Sequence, residues 1–362
     1  MNPAGFLVLA LDLARRARPS PNPPVGAVVV RGGRVVGRGF HRAAGEPHAE
    51  VLALREAGPA AKGADLWLTL EPCNHHGRTP PCTDAIVAAG VRRVLFGTRD
   101  PNPNVRGGGA RRLRAAGLDV TDLADAACAE LIAPFAKFAR SGRPFVTVKV
   151  GASLDGRIAA RTGRSRWITG PAAREAVQRM RARHDAILVG QGTLQLDDPR
   201  LTVRLPRGEF VSPQPVRLVL VHDPRALPRR RRAFGRPGGE TWLLVPRAAA
   251  TAAARRFPDV RVVSVPAAKG GWIDERQLLV ELGRRGILSL LVEGGGQVFT
   301  RFLAAGLADR VVVFLAPKLL GGPAERGWFR HPGVDDPAQG WGLELLRVER
   351  YGDDLAWIGR PG

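Results

Sequence analysis

The tightest constraint in this sequence is the segment from His48 to Cys82, because it carries both halves of a metal site that few folds can close. It begins His48-Ala49-Glu50 and ends Glu71-Pro72-Cys73-Asn74-His75-His76-Gly77-Arg78-Thr79-Pro80-Pro81-Cys82. One histidine and two cysteines supply three zinc donors, His48, Cys73 and Cys82, and Glu50 is left over as an acid/base. For all of them to serve one ion, the chain must turn back between His48 and Cys73 and again before Cys82. Zinc activation of water beside a non-ligand carboxylate is the chemistry of hydrolytic deamination of an amino-heterocycle. The alternative is a closed structural zinc with His75 or His76 as fourth ligand. A closed site would leave Glu50 without a task. Either histidine could instead meet a substrate, depending on how the loop is rotated.

The surrounding pattern is that of layered α/β structure. Residues 3–18 read as a helix, Pro19–Pro24 break it, and Gly32-Gly33 joins Val25–Val30 to Val35–Phe40 as a hairpin. From Pro47 to Ala57 the apolar spacing is helical, and Gly58-Pro59 ends it. His48 and Glu50 therefore fall at a helix start, where free N–H groups favour anions. Asp65–Leu70, Arg93–Gly97 and Leu118–Thr121 read as strands, and Cys82 opens a helix over Thr83–Ala89. Both cysteines are expected at or near a helix start, which favours the thiolate. Asn22 reads as an Asx-turn residue and His41 as a surface or satisfied histidine.

At 362 residues the chain exceeds the length of a single growing core, so two domains are expected. Ala126–Ala139 reads as a helix and Ser141-Gly142-Arg143-Pro144 as a connector, which places the boundary near residue 143: domains 1–143 and 144–362. The net charge of +22 raises nucleic acid as a partner. Only five of the basic residues are Lys, the Arg are scattered, and aromatics make up 6%, so composition bias with a phosphate site is preferred to a nucleic-acid surface. Three Cys do not form a disulfide framework, which points to a reducing cytoplasm. Cys128 reads as a small core residue. No apolar run reaches membrane-spanning length, and Asp12 with Arg15, Arg16 and Arg18 argues against a signal peptide at the N-terminus.

In the second half, Phe145–Val150, Ala186–Gly190, Arg217–Val221, Trp242–Val245, Arg261–Val265, Ser289–Glu293 and Arg310–Leu315 read as strands. Helices are expected from Pro171 to Arg183, with Thr169 as N-cap, and over Asp274–Gly283 and Gln297–Ala305. Gly192–Pro199 reads as a polar loop. The whole is a mostly parallel sheet with covering helices. Glu293-Gly294-Gly295-Gly296-Gln297 joins a strand to a helix, either as a tight turn or as a phosphate cradle at the helix start.

His48-Ala49-Glu50 with Pro72-Cys73 resembles the cytidine deaminase superfamily. Nucleoside and tRNA deaminases carry Pro-Cys-x-x-Cys, whereas eight residues separate the cysteines here. That expanded turn, with Pro21-Asn22-Pro23, Gly45-Glu46-Pro47-His48-Ala49-Glu50 and Asp100-Pro101-Asn102-Pro103, is similar to the bifunctional riboflavin-biosynthesis enzymes, a pyrimidine deaminase fused to a reductase. Ala152-Ser153-Leu154-Asp155-Gly156, Trp167-Ile168-Thr169, Asp197 to Arg204 and Val292-Glu293-Gly294-Gly295 resemble the reductase half. The resemblance implies a cytidine-deaminase-like three-layer α/β/α domain followed by a dihydrofolate-reductase-like α/β domain. It implies zinc-dependent deamination of a diamino-(phosphoribosylamino)pyrimidinone, then NADPH-dependent reduction of the ribosyl group to ribityl.

Carried over by position, Asn22, His41, His75, Arg78, Asp100 and Asn102 would line the deaminase pocket, with Arg78 meeting the ribose phosphate. Ala152, Trp167, Thr193, Asp197, His222 and Gly295, Gly296, Gln297, Val298, Phe299, Thr300 and Arg301 would contact NADPH. Ser165, Arg181, Leu201, Arg204 and Glu293 would contact the sugar-phosphate substrate. His222 departs from the small polar residue usual after that strand. The partners implied are phosphorylated pyrimidines and a second copy of the chain, with no nucleic acid and no membrane. Two rivals remain on the residues: a tRNA or nucleoside deaminase with a passenger domain, against which the cysteine spacing counts, and a zinc-stabilised binding module, which needs a fourth protein ligand.

Overall fold

Gly26–Arg31 is a continuous apolar run up to its last residue, so that Ala27 and Val29 pack on one face while Val28 and Val30 pack on the other. A strand apolar on both sides has to lie inside a layered sheet. The structure is a computed structural model and describes residues 3–76, 80–102, 108–205, 213–235, 239–268 and 270–362. It divides into two compact units, Met1–Gly142 and Arg143–Gly362.

The first unit runs α1 (Pro3–Ala14), β1 (Gly26–Arg31), β2 (Arg34–Phe40), α2 (Ala49–Ala57), β3 (Asp65–Leu68), α3 (Cys82–Ala88), β4 (Arg93–Phe96), α4 (Gly109–Ala115), β5 (Asp119–Asp122), α5 (Ala126–Leu131) and α6 (Ala133–Ser141). Its sheet has the order β2-β1-β3-β4-β5, antiparallel from β2 to β3 and parallel from β3 to β5. Leu66, Leu68, Val94 and Phe96 join residues of α2, α3 and α4 in one core, while Trp67 and Leu95 join α1 and Cys128 of α5 in the other. This is the expected three-layer α/β/α arrangement. The first helix is shorter than the periodicity suggests and ends at Ala14, Arg15 and Arg16 adding a last turn. The single helix expected over 126–139 is two helices that meet at Ile132, because Pro134 cannot continue the hydrogen-bond ladder.

The second unit runs β6 (Phe145–Ser153), α7 (Pro171–Ala182), β7 (Ala186–Gly190), α8 (Gln191–Asp197), β8 (Val216–Leu220), β9 (Thr241–Pro246), α9 (Ala250–Arg256), β10 (Arg261–Val265), α10 (Glu275–Arg284), β11 (Ser289–Val292), α11 (Gly296–Ala304), β12 (Arg310–Ala316), β13 (Leu343–Tyr351) and β14 (Asp354–Pro361). The nine strands lie in the order β10-β9-β8-β7-β11-β6-β12-β14-β13. They are parallel from β10 to β12, and β14 runs antiparallel to both β12 and β13. Helices α10 and α11 cover one face with Leu278, Leu282, Phe299 and Phe302, and α8 and α9 cover the other with Leu194 and Ala253. The chain steps outward from β7 to β10 and then returns to place β11 between β7 and β6. Crevices at such a reversal, at the carboxyl ends of parallel strands, are where α/β sheets bind ligands.

Two expectations are corrected here. Gly192–Asp197 is not a loop but most of α8, held to the sheet by fully buried Leu194. The cap of α7 is Gly170, not Thr169: the Gly170 N–H donates at 2.6 Å to Oδ2 of Asp354, a buried carboxylate 184 residues further on. A carboxylate at a helix start is favourable wherever it comes from. Among the described residues no helix is long and apolar enough to cross a membrane.

Candidate active sites

In the first unit, α2 delivers His48 and Glu50. His48 is its N-cap in extended backbone, and Glu50 follows in the first turn. The helix start can press against β2 because Gly39 has no side chain: a Cβ there would stand 2.1 Å from the carbonyl oxygen of Ala49. Cys82 is the first residue of α3 and is fully buried. Cys82 thus stands at a helix start as expected, whereas Cys73 lies on the loop after β3 and has no helix of its own. Its sulfur nonetheless accepts the Cys82 N–H at 3.3 Å, so it borrows the start of α3. Thr83 fixes this loop by donating its N–H to the Cys73 carbonyl at 3.3 Å and its hydroxyl to Asn74 Oδ1 at 2.9 Å.

His48 Nδ1 is 3.1 Å from Cys82 Sγ and 3.5 Å from Cys73 Sγ. The donor atoms of all three residues lie within 4.8 Å of one another. Donors of a tetrahedral zinc stand about 3.5–3.8 Å apart, given Zn–S near 2.3 Å and Zn–N near 2.0 Å, so the set fits that ion. Neither His75 nor His76 joins the group, which among the described residues leaves three protein donors. The thiols titrate as a pair. Cys73 is held down to about 4, first by the Cys82 thiol donating to its sulfur, and Cys82 is pushed up as the donor. His48 is raised by its hydrogen bond with Cys73. Glu50 is only 4% exposed, lies against the Cys82 thiol, and is pushed up to about 7, chiefly by burial.

His48, Glu50 and Cys73 line a cavity of about 350 Å³ together with Asn22, His41, His75, Asp100 and Asn102, while Cys82 stays buried behind them. His41 is not a surface residue but is 3% exposed. Its Nδ1 faces the Pro47 carbonyl at 3.3 Å and its Nε2 faces Asn22 Nδ2 at 2.9 Å. A ring donating to the carbonyl and accepting from the amide is neutral, and burial lowers its pKa accordingly. Asp100 is raised by burial. Arg78 lies outside the described residues. The motif reading passed over Glu71, whose Oε1 accepts the Ala110 N–H at 3.1 Å and Oε2 the Asp100 N–H at 3.3 Å. It ties the cysteine loop to the 100-loop and α4, and its place beside Pro72-Cys73 was the available signal.

In the second unit, a cavity of about 820 Å³ lies at the carboxyl ends of β6, β7 and β11. Trp167, Thr193, Asp197, His222, Gly295, Gly296, Gln297, Val298, Phe299 and Arg301 line it, as do Ser165, Arg181, Leu201, Arg204 and Glu293. Two expected contacts do not. Ala152 is fully buried in the core of β6, where strand alternation turns the neighbouring Gly151 to the cavity instead. Thr300 donates its hydroxyl to the Gly296 carbonyl at 2.8 Å and accepts the Arg330 N–H at 2.6 Å.

The charged floor of this cavity is built around Glu293. Arg181 grips it, and Lys149 Nζ stands 3.5 Å from Oε2. Glu293 is held down to about 2: burial alone would raise it, and the opposing charges of Arg181 and Lys149 outweigh that effect. Lys149, unremarked in the sequence, is lowered by burial. Arg181 also donates to the Thr202 carbonyl at 3.2 Å, and it lines the cavity while holding Glu293 in place. Arg301 is likewise committed, to Glu275 and the Ile273 carbonyl. Arg204 is exposed and lowered by burial and by the like charges of Arg181, Arg200 and Arg166, a cluster suited to a phosphate. Ser165 donates to Asp197 at 2.6 Å, and Trp167 is 65% exposed with Arg174 over its ring at 4.6 Å. Thr193 faces the glycine turn, and Gly295 takes φ +79° as the cap of α11. That turn, the free N–H groups behind it and the cavity's size fit a dinucleotide with its phosphates at a helix start.

Each unit matches a known family model. Residues 2–98 match the family model of the cytidine and deoxycytidylate deaminase zinc-binding region, and residues 144–357 match that of the RibD C-terminal domain. The riboflavin biosynthesis protein RibD of Escherichia coli (strain K12) is 43% identical and covers 97% of each chain. That of Aquifex aeolicus (strain VF5) is 40% identical and covers 97% of this chain and 96% of its own. The crystal structure of a diaminohydroxyphosphoribosylaminopyrimidine deaminase/5-amino-6-(5-phosphoribosylamino)uracil reductase from Thermotoga maritima matches with a TM-score of 0.86 at 35% identity, over 99% of this chain and 98% of that one. With such identity over nearly the full length of its relatives, this chain belongs to the RibD family of riboflavin biosynthesis proteins.

Proposed function

We propose that the chain carries out two successive steps of riboflavin biosynthesis. The first unit hydrolytically deaminates a diamino-(phosphoribosylamino)pyrimidinone, and the second reduces the ribosyl group of the resulting amino-(phosphoribosylamino)uracil to ribityl with NADPH. The observation that carries the reading is the buried Glu50 carboxyl beside three convergent zinc donors, with Glu50, His48 and Cys73 lining one cavity. Family membership supports the pairing of the two activities.

In the first site His48, Cys73 and Cys82 would hold zinc, which when bound supplies an acidified water for attack on the ring carbon. Glu50 takes a proton at its carboxylate and delivers it to the departing ammonia. Neutral His41, its two ring nitrogens occupied by the Pro47 carbonyl and the Asn22 amide, holds Asn22 at the pyrimidine pocket, and Asp100 and Asn102 close the pocket from the opposite loop. Arg78 is assigned to the ribose phosphate. In the second site NADPH supplies the hydride. The glycine turn and the start of α11 bind its phosphates, with Trp167, Thr193, Asp197 and His222 along its length. Glu293, held by Arg181 and Lys149, faces the sugar, and Arg204 meets the substrate phosphate.

Domain bounds of 1–143 and 144–362 are proposed for the two activities. A cytoplasmic setting fits the free thiols of Cys73, Cys82 and Cys128. A homo-oligomer fits the exposed Leu345 and Val348 along β13, the edge strand of its sheet. The test is the ultraviolet absorbance of the diaminopyrimidine substrate with and without NADPH. Deamination alone is expected without it and the ribityl product with it. A spectrum unchanged in both conditions would defeat the reading.

A further inference from the structure

The segment from Pro323 to Arg330 passes along the second cavity, and nothing above gives its side chains a role. Its backbone is tied on one side to the 156–163 loop. Gly327 bridges Arg157, the Ile158 N–H donates to the Arg326 carbonyl at 2.8 Å, and the Trp328 N–H donates to the Gly156 carbonyl at 3.3 Å. On the other side it lies against α11: a Cβ on Gly296 would be 2.6 Å from the Gly327 carbonyl oxygen. Arg326 is thereby fixed between that loop and the first turn of α11, and it lines the cavity.

Its guanidinium stands over Gly163, with both terminal nitrogens 3.5–3.6 Å from where a Cβ would project. Its Nε is buried and, among the described residues, has no hydrogen-bond partner. Arg301 is paired with Glu275, whereas Arg157 donates a terminal nitrogen to the Pro323 carbonyl at 3.1 Å and, like Arg326, has a buried Nε with no hydrogen-bond partner among the described residues. A buried donor without an acceptor is costly. An anion bound in the cavity that Arg326 and the start of α11 both line would relieve it.

We propose that Arg326 binds the diphosphate of the dinucleotide cofactor, sharing it with the backbone N–H groups at the start of α11. This rests on the reading that the cavity takes NADPH. A planar fork and a row of backbone donors together match a group with two charged phosphates better than either does alone.

The test is the dissociation constant of NADPH and of NADH for the full-length chain, measured calorimetrically on the wild type, Arg326→Gln and Arg326→Lys, with thermal unfolding followed in parallel. Arg326→Gln is expected to weaken both dinucleotides by a common factor of about ten or more, and Arg326→Lys to recover part of that loss. Weakening of NADPH alone would assign Arg326 to the additional phosphate on the adenosine ribose and overturn the proposal. Unchanged constants for both would overturn it as well, and a raised KM for the phosphorylated substrate would then place that phosphate at Arg326. If Arg326→Gln fails to fold, unimpaired binding by Arg326→Gly decides against the proposal and weakened binding by Arg326→Lys for it. A wild-type chain that binds neither dinucleotide would overturn the NADPH reading itself, and this assignment with it.

Discussion

Arg181 holds Glu293 through two parallel hydrogen bonds, Nε to Oε1 at 2.6 Å and a terminal nitrogen to Oε2 at 2.7 Å. Removing one member of such a buried group leaves the others uncompensated, which typically costs about 3–5 kcal/mol. Glu293→Ala strands both Arg181 and Lys149. The second unit of that variant is expected to unfold at lower temperature by calorimetry, while the zinc content of the first unit is retained.

The same carboxylate sets a pH dependence. Its folded pKa of about 2 lies below the usual 4.5, so the fold favours the charged form. That contribution is complete above the unfolded value and is lost as pH falls from about 4.5 to about 2. Denaturant unfolding followed through this window is expected to show a shallower loss of stability in Glu293→Gln than in the wild type. Equal slopes would mean that the ion pair contributes nothing at neutral pH.

Glu50→Gln keeps the size of the side chain and removes its capacity to carry a proton. Deamination is expected to fall by roughly a hundred-fold or more, with zinc per chain and NADPH-dependent reduction unchanged. Metal analysis beside the two assays checks this. A variant that deaminates at the wild-type rate would remove Glu50 from the acid/base role.

Chelation separates the sites in the opposite way. Stripping zinc leaves three donor groups crowded within 4.8 Å of one another. Deamination and the thermal stability of the first unit are expected to fall together and to return when zinc is added back, with reduction unaffected throughout. A rise in reductase KM on chelation would contradict this independence.

Gly39→Val tests how closely α2 must approach the sheet. Its Cβ would overlap the Ala49 carbonyl, and the helix start has to move outward. Loss of zinc affinity together with destabilisation of about 1–3 kcal/mol is expected, the former by metal analysis and the latter by unfolding. Unchanged affinity would show that His48 does not depend on that contact.

The parts of this molecule that are local in the chain were legible in the sequence. The apolar run of β1, the donors His48, Cys73 and Cys82, and the glycine turn before α11 depend on near neighbours and short motifs. What escaped depends on residues brought together from far apart. Thr169 looked like a cap because nothing in the sequence links Gly170 to Asp354. The grip of Arg181 on Glu293 is not visible in the sequence because the two are 112 residues apart. Cys73 gets its N–H donor from the helix that Cys82 begins, not from one of its own. The α8 segment reads as a loop because a seven-residue helix anchored by one fully buried leucine has no repeat to display. The last hairpin, β13 and β14, had no expectation attached, and its outer strand, exposed at nearly every position, shows no inward face to read.

That hairpin nevertheless reaches the reductase chemistry from a distance. Through Asp354 it anchors the first turn of α7, and α7 carries Arg181 to Glu293. A premature stop or a proteolytic nick ahead of β13 would remove no wall of either cavity. It would instead release the near end of a lever whose far end orients the carboxylate, so damage at the carboxyl terminus would be felt as lost reduction in an enzyme still able to deaminate.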